Sequence, residues 1–139
     1  MRMKLLGAAA AAIACTLAMP ATAQQSGGRA IVSLYHAPPG HQVELLKWLA
    51  QQEQVAAAAG VPRSQLYVHT DGDSWDYMLV APITTEAQDA AFDAAAKKMG
   101  VATGPRASIE FRKHIQSHTD TMVNGPTSAT EVLAALGEK

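Results

Sequence analysis

The 139-residue sequence contains a single cysteine, Cys15, and it lies in an N-terminal stretch that we expect to be removed from the mature protein. A mature chain without cysteine has no disulfides, no thiolate metal ligands and no cysteine nucleophile. Small exported domains commonly depend on disulfides for their stability. This domain must therefore obtain its stability from packing, or from a partner subunit.

Charged residues are also sparse, at 17% of the chain, with 11 basic side chains against 12 acidic ones. Removal of residues 1–23 would leave nine basic side chains and a net charge of about −3. A mildly acidic domain lacks the basic surface of a nucleic-acid-binding protein, so we expect no nucleic-acid partner. After residue 23, no segment approaches the roughly 18 to 20 consecutive apolar residues that a membrane span needs, so we expect no stable span in the mature chain.

The N-terminal 23 residues have the pattern of a secretory signal peptide. Its three parts are a basic start at Arg2 and Lys4, an apolar run over residues 5–17, and a small-residue cleavage site at Ala21-Thr22-Ala23. The alternatives are a helix of the fold, a membrane anchor, or a lipoprotein modified at Cys15. The apolar run is short and is followed by Pro20, which favours cleavage before Gln24. We therefore expect a periplasmic or secreted protein.

Beyond a polar lead-in at residues 24–28, hydrophobic patterning predicts six elements. They are a strand over residues 30–35, a helix over 41–59, strands over 65–70 and 75–81, a helix over 85–100, and a strand over 108–116. Asp71-Gly72 predicts a tight hairpin turn, and Thr85 with Gln88 predicts a capping box. The β-α-β-β-α-β order indicates an α+β, ferredoxin-like fold, with both helices on one face of a four-stranded antiparallel sheet.

We assign the globular domain to residues 29–118 and a polar linker and C-terminal helix to residues 119–139. Ser128 and Glu131 form a second capping-box pattern at the start of that helix. Val132, Leu133 and Leu136 follow as a short apolar stripe. The stripe is expected to pack on the domain or on a neighbouring subunit.

Two short segments of the mature chain carry a family resemblance. They are the Tyr35-x-x-x-Pro39-Gly40 passage into the first helix and the hairpin phrase Ser74-Trp75-Asp76-Tyr77-Met78-Leu79-Val80. Over residues 29–117 the chain resembles the dimeric α/β-barrel superfamily, which includes stress-response barrel, antibiotic-biosynthesis monooxygenase-like, NIPSNAP-like and EthD-like proteins. The resemblance implies a homodimer that pairs its sheets face to face around a cavity. Because some members are cofactor-free oxygenases and others bind haem, it implies no particular catalytic residue or cofactor.

Polar and aromatic side chains on the predicted strands are the candidates for lining that cavity. They are Tyr35, His36, His69, Trp75, Tyr77, Glu110, Arg112 and His114. In a strand over residues 108–116, Glu110, Arg112 and His114 would share one face and could remove a proton from a substrate. If that face is exposed to solvent, they would be ordinary polar residues of an edge strand. The aromatic residues either form a pocket wall or pair across strands to hold the sheet together.

Five histidines, including His41 and His118, are the only remaining candidates for metal or haem ligation. None of the familiar metal-binding spacings is present, so the sequence predicts no metal site and leaves any cofactor open. Two functions remain. One is an exported dimeric barrel that binds a small apolar or aromatic molecule. The alternative is a cofactor-independent monooxygenase- or isomerase-like enzyme that uses histidine and tyrosine side chains.

The leader generates a direct test of localisation. Expression of the full sequence in a Gram-negative host should give a periplasmic protein that begins at Gln24, because signal peptidase cleaves after a small-x-small site. The intact mass of the periplasmic protein measures this. A soluble cytoplasmic product that retains Met1 would contradict the prediction.

Overall fold

The computed structural model describes residues 28–138, in four strands and four helices. The elements are β1 (Gly28–His36), α1 (Gln42–Ala58), β2 (Gln65–Val68), β3 (Tyr77–Pro82), α2 (Glu86–Lys98), α3 (Pro105–Arg112), β4 (Ser117–Gly125) and α4 (Ala129–Ala135). The predicted leader and its cleavage site lie outside these residues. No helix within the described range is long and apolar enough to cross a bilayer.

The strands form one antiparallel sheet with the order β2-β3-β1-β4. β1 lies in the middle and pairs with β3 on one side and with β4, over its full length, on the other. This is the ferredoxin-like arrangement that the sequence predicts, and the α+β fold class is confirmed. β4 is therefore an edge strand of the sheet.

The core lies between the sheet and α1. Tyr35 and Tyr77 are direct partners across β1 and β3, so both side chains point to the same face of the sheet. They form a buried cluster with Leu45 and Leu49, which are four residues apart and share one face of α1. α2 contacts α1, which places the two long helices on this same side. We call it the helix side.

The opposite side of the sheet, which we call the open face, carries the alternate residues of each strand. In the register, Val32 lies opposite Val80 and Thr121, and Leu34 lies opposite Met78 and Thr119. Further members of the open face are Ala30, His36, Gln65, Tyr67, Pro82, Ser117 and Val123. No Asp, Glu, Lys or Arg occurs at any of the positions that the register assigns to this face.

The fourth strand does not lie where the sequence pattern places it. Residues 105–112 form α3, and β4 follows over the residues predicted to be a linker. Pro105 occupies the first turn of α3, where its fixed φ favours a helix, directly after Gly104 with a positive φ of 58°. Phe111 and Ile115 both contact the core, whereas Ile109, which an alternating strand would place on the same face, is 60% exposed. β4 is polar because it is an edge strand whose residues are mostly exposed, so it lacks the alternating signal that would identify it.

The β2–β3 hairpin is also more open than predicted. β2 ends at Val68 and β3 begins at Tyr77, so Trp75 lies in the connecting loop rather than in a strand. The carboxylates of Asp71 and Asp73 accept hydrogen bonds from the next backbone N–H groups, at 2.9 and 2.7 Å. These local bonds stabilise a longer loop and remove the need for a two-residue turn.

The remaining predicted helices agree with the structure. α1 spans most of residues 41–59. Both capping boxes are present, Thr85 with Gln88 at the start of α2 and Ser128 with Glu131 at the start of α4. α4 buries none of its residues, and Leu136 at its end is exposed.

Two neighbouring leucines test where the core lies. Leu45 is fully buried, whereas Leu46 is 37% exposed. We expect Leu45→Ala to reduce the free energy of unfolding by about 2–5 kcal/mol, because it leaves a cavity against Tyr35 and Tyr77. Leu46→Ala should cost about 1 kcal/mol or less. Urea unfolding at one fixed protein concentration measures both, and equal losses would contradict this packing.

Candidate ligand-binding site

An aromatic cluster joins β1, α1, α3 and β4 on the helix side. The rings of Trp48 and Phe111 stack with their centroids 4.7 Å apart and their planes at 30°. Phe111 meets Tyr35 and His118 edge to face, at 5.9 and 5.2 Å. His118 in turn stacks on Tyr35 at 6.2 Å. Such offset and edge-to-face pairs are the favoured aromatic geometries, so the cluster fixes the position of each ring.

A groove open to solvent lies on this cluster, bordered by α1, α3 and the start of β4. Its volume is about 780 Å³, within the usual range for small-molecule sites. The lining residues are Trp48, Gln52, Ala107, Ser108, Phe111, Arg112, Ile115, Gln116, Ser117 and His118. The groove therefore combines flat apolar surface with one guanidinium and one imidazole.

His118 contacts a carboxylate on the same strand. Its Nε2 lies 3.3 Å from Oδ2 of Asp120, and both side chains are partly exposed. Residues two apart on a strand point to the same face, which explains how β4 brings these two together. In the register, Tyr35 is the direct partner of His118 and Ser33 is the direct partner of Asp120.

The two buried tyrosines are proton donors rather than bases. Burial raises the pKa of Tyr35, the negative charge of Asp120 adds to this effect, and a hydrogen bond with Ser33 partly offsets it. Burial also raises the pKa of Tyr77, with a smaller contribution from Asp76. The Tyr77 hydroxyl donates to the carbonyl of Gln42 at 3.1 Å. Both phenols remain protonated at neutral pH and belong to the packed core.

The trio predicted on one strand face is dispersed by the helix. Arg112 lines the groove. His114, in the turn after α3, lies beside Trp48 with the ring centroids 6.3 Å apart. Glu110 instead accepts a hydrogen bond from Lys113 at 2.8 Å, which lowers the pKa of Glu110. The predicted Glu110–Arg112–His114 cluster is therefore wrong as a period-two arrangement, because α3 has a period of 3.6 residues.

The other candidates lie around the β2–β3 loop. Nδ1 of His36 is 3.0 Å from the Ser74 carbonyl oxygen. His69 meets Trp75 edge to face at 4.9 Å, and its buried Nε2 has no hydrogen-bond partner within residues 28–138. None of these three candidates lines the groove. Nowhere in the described range do three or more His, Cys, Asp or Glu side chains come together to hold a metal ion.

Three residues of the site were not among the sequence candidates: Trp48, Phe111 and Asp120. His118 was considered only as a possible metal or haem ligand, and Asp120 fell in the predicted linker. The available signal was the His-x-Asp spacing within Ser117-His118-Thr119-Asp120-Thr121, where β-branched threonines alternate with polar residues. Interpreting this run as a strand would have placed the imidazole and the carboxylate on one face.

No family model matches this chain, and no curated protein matches it. Among solved structures it is similar to SnoaB, a cofactor-independent oxygenase from Streptomyces nogalater, at 18% identity over 73% of this chain and 95% of that chain, with a TM-score of 0.48. An uncharacterised NIPSNAP domain protein from Burkholderia xenovorans shows 12% identity over 73% and 97%, with a TM-score of 0.45. A dimeric ferredoxin-like protein of unknown function from Thermobifida fusca shows 14% identity over 71% and 92%, also at 0.45. These neighbours are of the kinds that the sequence resemblance predicts, and the sheet order of this structure by itself defines the ferredoxin-like fold.

Proposed function

We propose that this protein binds a small, planar aromatic molecule that carries an acidic group, in the groove between α1, α3 and β4. The observation that supports this most directly is the stacked Trp48–Phe111 pair in a groove that also contains Arg112. The sequence alone favoured a cavity enclosed between two paired sheets. The groove is preferred because aromatic surface and a cation meet there within one chain.

The chemistry of the lining determines the class of ligand. Indole and phenyl rings present flat apolar surfaces on which a planar ring stacks favourably. Arg112 forms no salt bridge with any residue in the 28–138 range, so its guanidinium is available to a carboxylate. Arginine pairs with a carboxylate through two parallel hydrogen bonds, which adds orientation to affinity. An aromatic carboxylate satisfies both features.

Binding of 1-naphthoate tests this proposal. In an NMR titration we expect the indole N–H signal of Trp48, assigned with Trp48→Phe, to shift with increasing naphthoate. Arg112→Gln should weaken binding about tenfold or more, because it removes a charge-assisted hydrogen bond worth about 1.5–3 kcal/mol. Arg106→Gln is the matched control, since Arg106 lies on the same helix but does not line the groove. Absence of binding to the wild type, or equal effects of the two variants, would contradict the proposal.

We also propose that two copies pair through their open faces. The support is the composition of that face, where Val32, Leu34, Met78 and Val80 are apolar and no charged residue occurs at the registered positions. A sheet face that is exposed to water normally carries polar and charged residues. An apolar face without charged residues favours association instead. Because the groove lies on the helix side, this pairing would leave it accessible.

A charge placed on β4 tests the dimer. Thr121 is exposed on the open face, opposite Val32, whereas Asn124 is exposed on the other face, opposite Arg29. We expect wild-type protein and Asn124→Glu to have twice the monomer mass at micromolar concentration in light scattering. Thr121→Glu should shift the protein toward monomer, since it buries an unpaired carboxylate in the interface. A monomeric wild type, or a dimer equally stable in both variants, would contradict pairing through this face.

We further propose that the domain acts outside the cytoplasm. The support is the signal-peptide pattern of residues 1–23 alone. The N-terminal mass measurement described with the sequence tests it independently of ligand binding and of the oligomeric state.

A further inference from the structure

We propose that His118, held by Asp120, is a general base that removes an acidic C–H proton from a benzylic ketone bound in the groove, at the carbon between the aromatic ring and the carbonyl. This rests on the proposed function, because the same groove must first bind a planar aromatic molecule. It goes further by naming a reaction, the enolisation of a carbon acid, and the residue that performs it. The two side chains belong to one edge strand and require no contribution from a second subunit.

The geometry gives His118 one engaged and one available nitrogen. Nε2 lies 3.3 Å from Oδ2 of Asp120, so the negative carboxylate favours the tautomer that carries the ring proton on Nε2. With Nε2 protonated, the neutral ring carries its lone pair on Nδ1. The stack on Tyr35 and the edge contact with Phe111 restrict rotation of the imidazole. His118 therefore lines the groove as an oriented base.

The other charged and titratable groups near the groove fit the same reaction. Arg112 supplies a positive charge that can stabilise an enolate oxygen. His114 lies beside Trp48, with the ring centroids 6.3 Å apart, and makes no salt bridge with any residue of the 28–138 range. Tyr35 keeps its proton, so it does not compete as a base. These placements leave His118 as the groove imidazole that is paired with a carboxylate.

The step balances without an added oxidant or reductant. The C–H bond next to the carbonyl breaks, its proton forms an N–H bond at Nδ1 of His118, and its electron pair moves onto the carbonyl oxygen as an enolate. Asp120 stabilises the resulting imidazolium through its charge. Return of a proton to the same carbon regenerates the ketone. In D₂O the returning proton is a deuteron, so the reaction is visible as hydrogen–deuterium exchange.

We would measure this exchange at the carbon next to the carbonyl and the ring of 2-tetralone, using proton NMR and the full-length protein. The wild type should accelerate exchange over buffer. His118→Gln should lose roughly a hundredfold of this acceleration, the usual contribution of a positioned general base. Asp120→Asn should lower the maximal exchange rate about tenfold while leaving the half-saturating concentration of 2-tetralone unchanged, which marks Asp120 as a positioning residue. His41→Gln, an exposed histidine at the start of α1 without a side-chain capping bond, should exchange like wild type.

Titration of each variant with 1-naphthoate separates this proposal from the proposed function. Retained naphthoate binding by His118→Gln, together with lost exchange, supports His118 as the base. Naphthoate binding by the wild type without accelerated exchange overturns the base and leaves the binding proposal standing. Exchange that survives in His118→Gln but is lost in His114→Gln would show that His114 is the base, and would also overturn the assignment to His118. Absence of both binding and exchange overturns both proposals.

Discussion

The packing of α1 against the Tyr35–Tyr77 pair is the interaction on which the rest of the structure depends. Tyr35 is 7% exposed and lies near the end of β1, a central strand with neighbours on both sides. Its partner Tyr77 fixes the register with β3, while the ring of Tyr35 contacts Phe111 from α3 and His118 from β4. One residue thus connects the hydrophobic core to the proposed ligand groove. A change in the pairing of β1 would move both.

The groove exists because β4 is an edge strand that follows a short helix. α3 ends beside the N-terminal part of β4, and Phe111 reaches across to stack on Trp48 of α1. The surface between these elements is open to solvent and is lined by the rings of Trp48 and Phe111 together with Arg112 and His118. β4 is a polar edge strand, and it places His118, paired with Asp120, at this opening. The polar residues that make β4 hard to identify from sequence include His118 and Asp120, which carry the proposed chemistry.

The two sides of the sheet have separate roles in the proposed function. On the helix side, burial keeps the phenol of Tyr35 protonated and orders the aromatic rings that a ligand would contact. On the open face, Val32 and Leu34 of β1 and Met78 and Val80 of β3 form an apolar centre, which is suited to a second copy of the same face. Because side chains of a strand alternate, association would use the apolar open-face residues of β1 and β3, while the groove uses His118 on the helix side of β4.

By itself, the sequence determined the fold class, α1, the two capping boxes and the pairing of β2 with β3, because helical periodicity, turn residues and N-cap patterns are local signals. It also identified Tyr35, Arg112 and His114, which lie in or beside the cluster, but it grouped Arg112 and His114 with Glu110 on a strand that is in fact a helix. Only the tertiary structure decided where the fourth strand lies, since β4 is specified by backbone pairing with β1 and not by its own hydrophobic pattern. The same pairing brings His118 and Asp120 to Tyr35, and no local rule connects residues more than 80 positions apart in the chain.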